Sequence, residues 1–221
     1  MKRMVNFKWS LVVITLHLIA VLYFVNALEP NTQIPSHWNY AGEVDGYLSV
    51  TGMVLFGVGF GIGIFLLLFL MPYYSPWYRR FEQRFERLMP SLSFILVLFF
   101  ALINVYSFYL AKFPQFQPRM NVILVLVGLL LVFLGNLLPK VPRNFFIGIR
   151  TPWTLSNDEV WYQTHRIGGV FFVIGGLILA LKGIILQSHQ SFQLITTVAA
   201  ILAVLYPAVH SFIIYKKLKA Q

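Results

Sequence analysis

His37 and Asp45 stand eight positions apart in a polar stretch, close enough in sequence to pair an imidazole with a carboxylate for metal ligation or proton transfer. No other histidine is near them and the chain has no cysteine, so further ligands are missing and the pair reads as part of a hydrogen-bonded loop. Ser211 follows His210, but neighbours on a helix point about 100° apart and make a poor nucleophile–base dyad. HExxH is absent, and no intramembrane aspartate pair is visible. No catalytic residue, metal or cofactor is therefore expected. What remains is recognition chemistry. In Arg150-Thr151-Pro152-Trp153 a guanidinium and an indole bracket a Thr-Pro turn, able to stack on each other or to offer the cation to a phosphate. Arg143, Arg150 and Arg166 together could grip lipid phosphates.

The elements that must position these residues are set by hydropathy. Of 221 residues 58% are hydrophobic and 11% charged, and the mean hydropathy is +0.75, which excludes a water-soluble domain. Apolar runs over 9–28, 47–71, 89–111, 120–138, 167–186 and 192–215 each approach the roughly 20 residues a bilayer-crossing helix needs. Only helices satisfy their backbone within such a segment, so the expected fold is all-α, a polytopic bundle of about six transmembrane helices. Residues 1–72 hold the first two helices, 73–119 an amphipathic segment and the third, and 120–221 the last three.

Orientation follows from charge. Lys2, Arg3 and Lys8, then Arg79, Arg80, Arg84 and Arg87, then Lys140, Arg143, Arg150 and Arg166, then Lys216, Lys217 and Lys219 all fall on one face, against Lys112, Arg119 and Lys182 on the other. The first face is expected to be cytoplasmic, with both termini there. The formal charge of +10 then reflects topology and anionic lipid, and no direct nucleic-acid contact is expected.

The outer loop, 29–46, carries Glu29, Glu43 and Asp45 and no Lys or Arg, so a cationic or amphipathic partner would be drawn to it. Pro35, Gly42 and Gly46 read as turns, and Ile34, Trp38 and Tyr40 can seat it at the headgroups. Inside, Ser75-Pro76 reads as a helix start, and Trp77, Phe81 and Phe85 as the apolar stripe of a short helix lying on the inner leaflet until Pro90. Ser156 and Glu159 have capping-box spacing, predicting a helix from about Asn157 unbroken into the fifth span, with Trp161 and His165 on one face. Gly57, Gly59, Gly61 and Gly63, Gly128 and Gly135, and Gly169, Gly176 and Gly183 are spaced for close helix packing.

Gly148 to Leu155, followed by Val160-Trp161 and His165-Arg166 and preceded by Gly135 to Lys140 with Arg143-Asn144, resembles the signature of the SdpI family of bacterial immunity proteins. Ile34-Pro35-Ser36-His37-Trp38-Asn39, with Gly42 and Asp45, resembles that family's outer-loop motif. The second and third helices match in hydropathy alone. The resemblance implies a six-helix, multi-pass protein of the bacterial cytoplasmic membrane that protects its producer from a secreted toxic peptide. In the founding system it also implies signalling, by holding a cytoplasmic repressor at the membrane. On that reading His37, Trp38, Asn39 and Asp45 form an outer binding set. Asn136, Arg143, Asn144, Arg150, Thr151, Pro152, Trp153, Trp161, His165 and Arg166 form a cytoplasmic binding or signalling set. A transporter is the first alternative, but His17, Asn26, Asn104, Asn136 and His210 are the polar groups in the spans, and packing hydrogen bonds account for them. An intramembrane enzyme is the second.

Overall fold

Each apolar run closes its own backbone hydrogen bonds as a helix, and six helices are long and apolar enough to cross a membrane among the residues described. The computed structural model describes residues 6–40, 43–116, 121–185 and 190–219. Lys2, Arg3, Gly42, Arg119 and Met120, used in the sequence reading, lie outside the described residues. The chain runs α1 (Lys8–Ala27), β1 (Gln33–Trp38), β2 (Val44–Ser49), α2 (Val50–Phe69), α3 (Met71–Tyr74), α4 (Pro76–Arg80), α5 (Glu82–Lys112), α6 (Val122–Leu137), a 3-10 turn (Leu138–Lys140), α7 (Pro152–Ser156), α8 (Asp158–Ile184) and α9 (Gln190–Lys219).

α5 packs with α1 and α2, and α8 with α6 and α9, giving two three-helix groups that meet where α5 touches α6. The first group is pinned by a polar bridge between apolar helices. His17 Nε2 donates to Asn104 Oδ1 at 2.8 Å, and Asn104 Nδ2 donates to the Met53 carbonyl at 3.1 Å. Asn104 fits only because position 57 is glycine, whose Cβ would stand 1.9 Å from Asn104 Nδ2. The expected packing role of Gly59, Gly61 and Gly63 is not found: a Cβ on any of them meets nothing within 4 Å. In the second group the glycine spacing does its expected work. A Cβ on Gly128 would lie 2.5 Å from the Gly176 carbonyl, and one on Gly135 2.7 Å from the Gly169 carbonyl, so α6 and α8 touch backbone to backbone.

Three local expectations fail. Ser75 does cap α4, its hydroxyl accepting the Tyr78 N–H at 3.2 Å with Pro76 in the first turn, but the helical path breaks at Phe81 and resumes as α5, which runs through Pro90. The proline deprives only the Glu86 carbonyl of its donor, near the polar start of a 31-residue helix, where the loss is tolerable. The aromatic stripe does not lie on the leaflet. Phe85 is fully buried, and Trp77 and Phe81 pack against the same core as Met71, Met89 and Trp161. The outer loop is an antiparallel hairpin: Pro35 and Gly46, which read as turns, lie inside β1 and β2, whose register shifts around His37.

Candidate functional site

The predicted site residues fall into two clusters at opposite ends of the bundle. At the hairpin end, Ile34 drives β1 into a core of Val21, Phe24, Met53 and Phe108, and is itself fully buried. Trp38 stacks on Tyr106 of α5 at 6.4 Å between centroids. His37 and Asp45 face outward and pair, Nδ1 donating to Oδ1 at 2.5 Å with both side chains exposed. Gly46 makes room for this arrangement, since a Cβ there would lie 2.9 Å from the His37 Cβ. Asn39 closes the tip, donating to the Glu43 carboxylate at 3.0 Å and accepting the Glu43 N–H at 3.0 Å. Among the described residues no group of three or more His, Cys, Asp or Glu is placed to hold a metal.

Two lysines that the charge count placed on the outer face bond to backbone carbonyls at this end, and one of them, Lys182, ties the hairpin tip to the second helix group. Lys112, at the end of α5, donates to the Ala27 carbonyl at the end of α1. Lys182, in the last turn of α8 and only 3% exposed, donates to the Tyr40 carbonyl at 2.8 Å, to the Gln193 carbonyl at 3.1 Å and to the Thr197 hydroxyl of α9. A lone lysine in a glycine-rich apolar run was the available signal for this junction.

At the other end the segment from Val141 to Asn157 folds around one side chain. Asn144, fully buried, donates to the Pro142 and Ile147 carbonyls at 2.8 and 3.0 Å and accepts the Phe146 and Ile147 N–H groups at 2.7 and 2.8 Å. All four hydrogen-bonding positions of its amide are thereby used. Thr151 and Thr154 then cap α7 reciprocally, with Pro152 at its first position, so the Thr-Pro pair is a helix start rather than a free turn. The next cap is also shifted. Asn157, not Ser156, accepts the Glu159 and Val160 N–H groups at 2.8 and 3.1 Å, while Ser156 bonds back to the Trp153 carbonyl. Ser156 is still the last helical residue of α7, whereas Asn157 has the extended backbone an N-cap requires, so the cap falls to Asn157.

This folded segment docks on two helices. Trp161 donates its indole N–H to the Val141 carbonyl at 2.9 Å and stacks on His165 with centroids 4.0 Å apart and planes 20° apart. His165 donates through Nδ1 to the Trp161 carbonyl at 2.8 Å and accepts the Ile149 N–H on Nε2 at 3.0 Å, which fixes one neutral tautomer. Trp153 does not stack on Arg150. Its indole N–H goes to the buried Ser211 hydroxyl of α9, which also lies 3.3 Å from the Thr151 hydroxyl. The Arg150 guanidinium turns instead to the Phe145 carbonyl at 2.7 Å and remains exposed. Arg143 donates to the Leu155 carbonyl at 3.0 Å and pairs with Asp158 at 2.8 Å, tying the segment to the start of α8.

Eight predicted residues therefore converge: Arg143, Asn144, Arg150, Thr151, Pro152, Trp153, Trp161 and His165. Asn136 bonds only within its own helix, to the Val132 carbonyl, and Arg166 is exposed one residue past His165. Ser211, Thr154 and Asn157 complete the arrangement and were not foreseen in these roles.

Residues 140–215, from the end of the 3-10 turn to the last turns of α9, match the SdpI/YfhL protein family. The chain is also 33% identical over 95 residues to the protein named Immunity protein SdpI of Bacillus subtilis (strain 168). That stretch is 43% of this chain and 45% of the relative, so the two are matched over less than half their lengths. No solved structure matches. With six helices long and apolar enough to cross a membrane among the described residues, and an SdpI-like region over the last two of them, the chain is a multi-pass bacterial membrane protein.

Proposed function

We propose that this protein confers immunity to a secreted toxic peptide, with the acidic hairpin facing outward as the site of engagement and the Arg150–Trp153 segment facing the cytoplasm as the reporter. The likeness to an immunity protein supports the general role. One observation carries the division of labour: a single helix, α8, joins the two clusters. Its last turn holds the hairpin tip through Lys182, and its first two turns supply Trp161 and His165 to the other cluster. A helix of 27 residues is about 40 Å long and stiff at 1.5 Å per residue, so a displacement at one end is felt at the other. The hairpin's Glu43 and Asp45 would attract a cationic peptide, and a cytoplasmic repressor would be held by the Arg150 face.

Expression in a toxin-sensitive bacterium tests this reading. Survival should rise with the wild-type chain and fall with His37→Ala, Asp45→Ala or Arg150→Ala at unchanged protein level, none of the three side chains being part of a core. Equal protection by all three variants would remove both clusters from the mechanism.

A further inference from the structure

A cavity opens beside the folded segment at the basic end, with a volume of about 740 Å³ between the start of α5, the 3-10 turn and the start of α8. Its floor is apolar, formed by Phe81, Leu88, Leu137, Val141 and Trp161. Its rim is cationic. Arg80, Arg84 and Arg87 are spaced four and three residues apart and line it together with Lys140 from the opposite wall. The acidic side chains there are already engaged: Asp158 pairs with Arg143, and Glu159 accepts from Gln163 at 2.7 Å. Among the described residues none of Arg80, Arg84, Arg87 and Lys140 has a carboxylate partner, and all four are exposed. Arg80 rests over the Phe81 ring, and Arg87 spends only its Nε, on the Gln83 carbonyl. Four unneutralised cations around a concave, apolar-floored space of this size form a receptacle for a small, multiply acidic group.

From this geometry we infer that the cavity binds a phosphate-bearing anion, with Arg84, Arg87 and Lys140 as its principal ligands. Two sources carry that chemistry: the headgroup of an anionic phospholipid and a soluble phosphate compound. The site is separate from the toxin reading, since none of these three residues belongs to the hairpin or to the Arg150–Trp153 segment.

The test uses the purified full-length chain in neutral detergent, titrated with short-chain phosphatidylglycerol, short-chain phosphatidylcholine and inorganic diphosphate. Saturable binding of phosphatidylglycerol or diphosphate is expected, weakened about a hundredfold in R84Q/R87Q/K140Q, taking roughly fivefold for each cation removed. The variant K216Q/K217Q/K219Q removes the same charge from the same end and should bind as the wild type does. Phosphatidylglycerol that diphosphate cannot displace identifies a lipid site, and ready displacement identifies a soluble one. Equal binding by wild type and R84Q/R87Q/K140Q, equal loss in both triple variants, or binding of phosphatidylcholine as tightly as phosphatidylglycerol would overturn the proposal.

Discussion

Gly148 lies so close beneath His165 that a Cβ on it would stand 2.3 Å from Nε2 of the imidazole, and its φ of +115° is one that side-chain-bearing residues rarely adopt. The glycine lets the backbone pass under the ring and deliver the Ile149 N–H to it. Gly148→Ala should therefore cost about 1–3 kcal/mol of local stability and free the segment. The check is hydrogen exchange of the Ile149 amide, which should become measurably faster in the variant. An unchanged rate would show that the imidazole is not the restraint.

Gly61 of α2 and Gly128 of α6 should respond in opposite ways. Gly128→Ala forces a methyl to within 2.5 Å of the Gly176 carbonyl and should lower the thermal midpoint and the amount of protein in the membrane. Gly61→Ala meets nothing and should leave both unchanged or raise them, alanine being favoured in a helix interior by about 0.5–1 kcal/mol. Gly57→Ala should be as damaging as Gly128→Ala, and Asn104→Ala should partly suppress it by removing the amide that clashes. Absence of suppression would mean that the damage lies elsewhere in α2.

Ser211 accepts the Trp153 indole N–H and holds α7 on α9. Ser211→Ala leaves that N–H without its partner at a cost of about 1–3 kcal/mol. In inside-out vesicles, trypsin should cut after Arg150 faster in Ser211→Ala than in the wild type. Equal cleavage would show that Trp153 docks through its ring contact with Phe212 alone.

The absence of native cysteine makes orientation directly measurable. Asp45→Cys should react with a membrane-impermeant maleimide in intact cells, and Arg150→Cys only after permeabilisation, both positions being exposed. The reverse pattern would invert the assignment of outside and inside that the basic residues support.

Hydropathy was enough to read the six helices, because lipid forces each apolar run to close its own hydrogen bonds. The seven-residue glycine spacing in α6 and α8 likewise foretold a close helix pair. Short-range competition was harder to read. Ser156 and Asn157 are both good caps, and the choice between them depends on a backbone geometry set by α7 one residue earlier. Pro35 argued against a strand, yet β1 is one edge of a two-stranded hairpin, where a missing N–H can be spared. The site residues were legible as a set, but their partners were not. Trp153 with Ser211, and Lys182 with Tyr40, are 58 and 142 positions apart and meet only through the packing of whole helices.

The protective role, and α8 as its link, is tested most directly in the bacterium that encodes the protein. Survival is measured in spent medium from the parent strain for a strain lacking the gene, complemented with the wild-type chain or with Lys182→Met at equal protein level. The account predicts about a tenfold or greater loss of survival without the gene, restored by the wild type and not by Lys182→Met, which severs the hairpin tip from α8 while keeping an apolar side chain of similar length. Survival of the deletion strain equal to that of its parent would contradict the immunity role. Full restoration by Lys182→Met would contradict the link through α8.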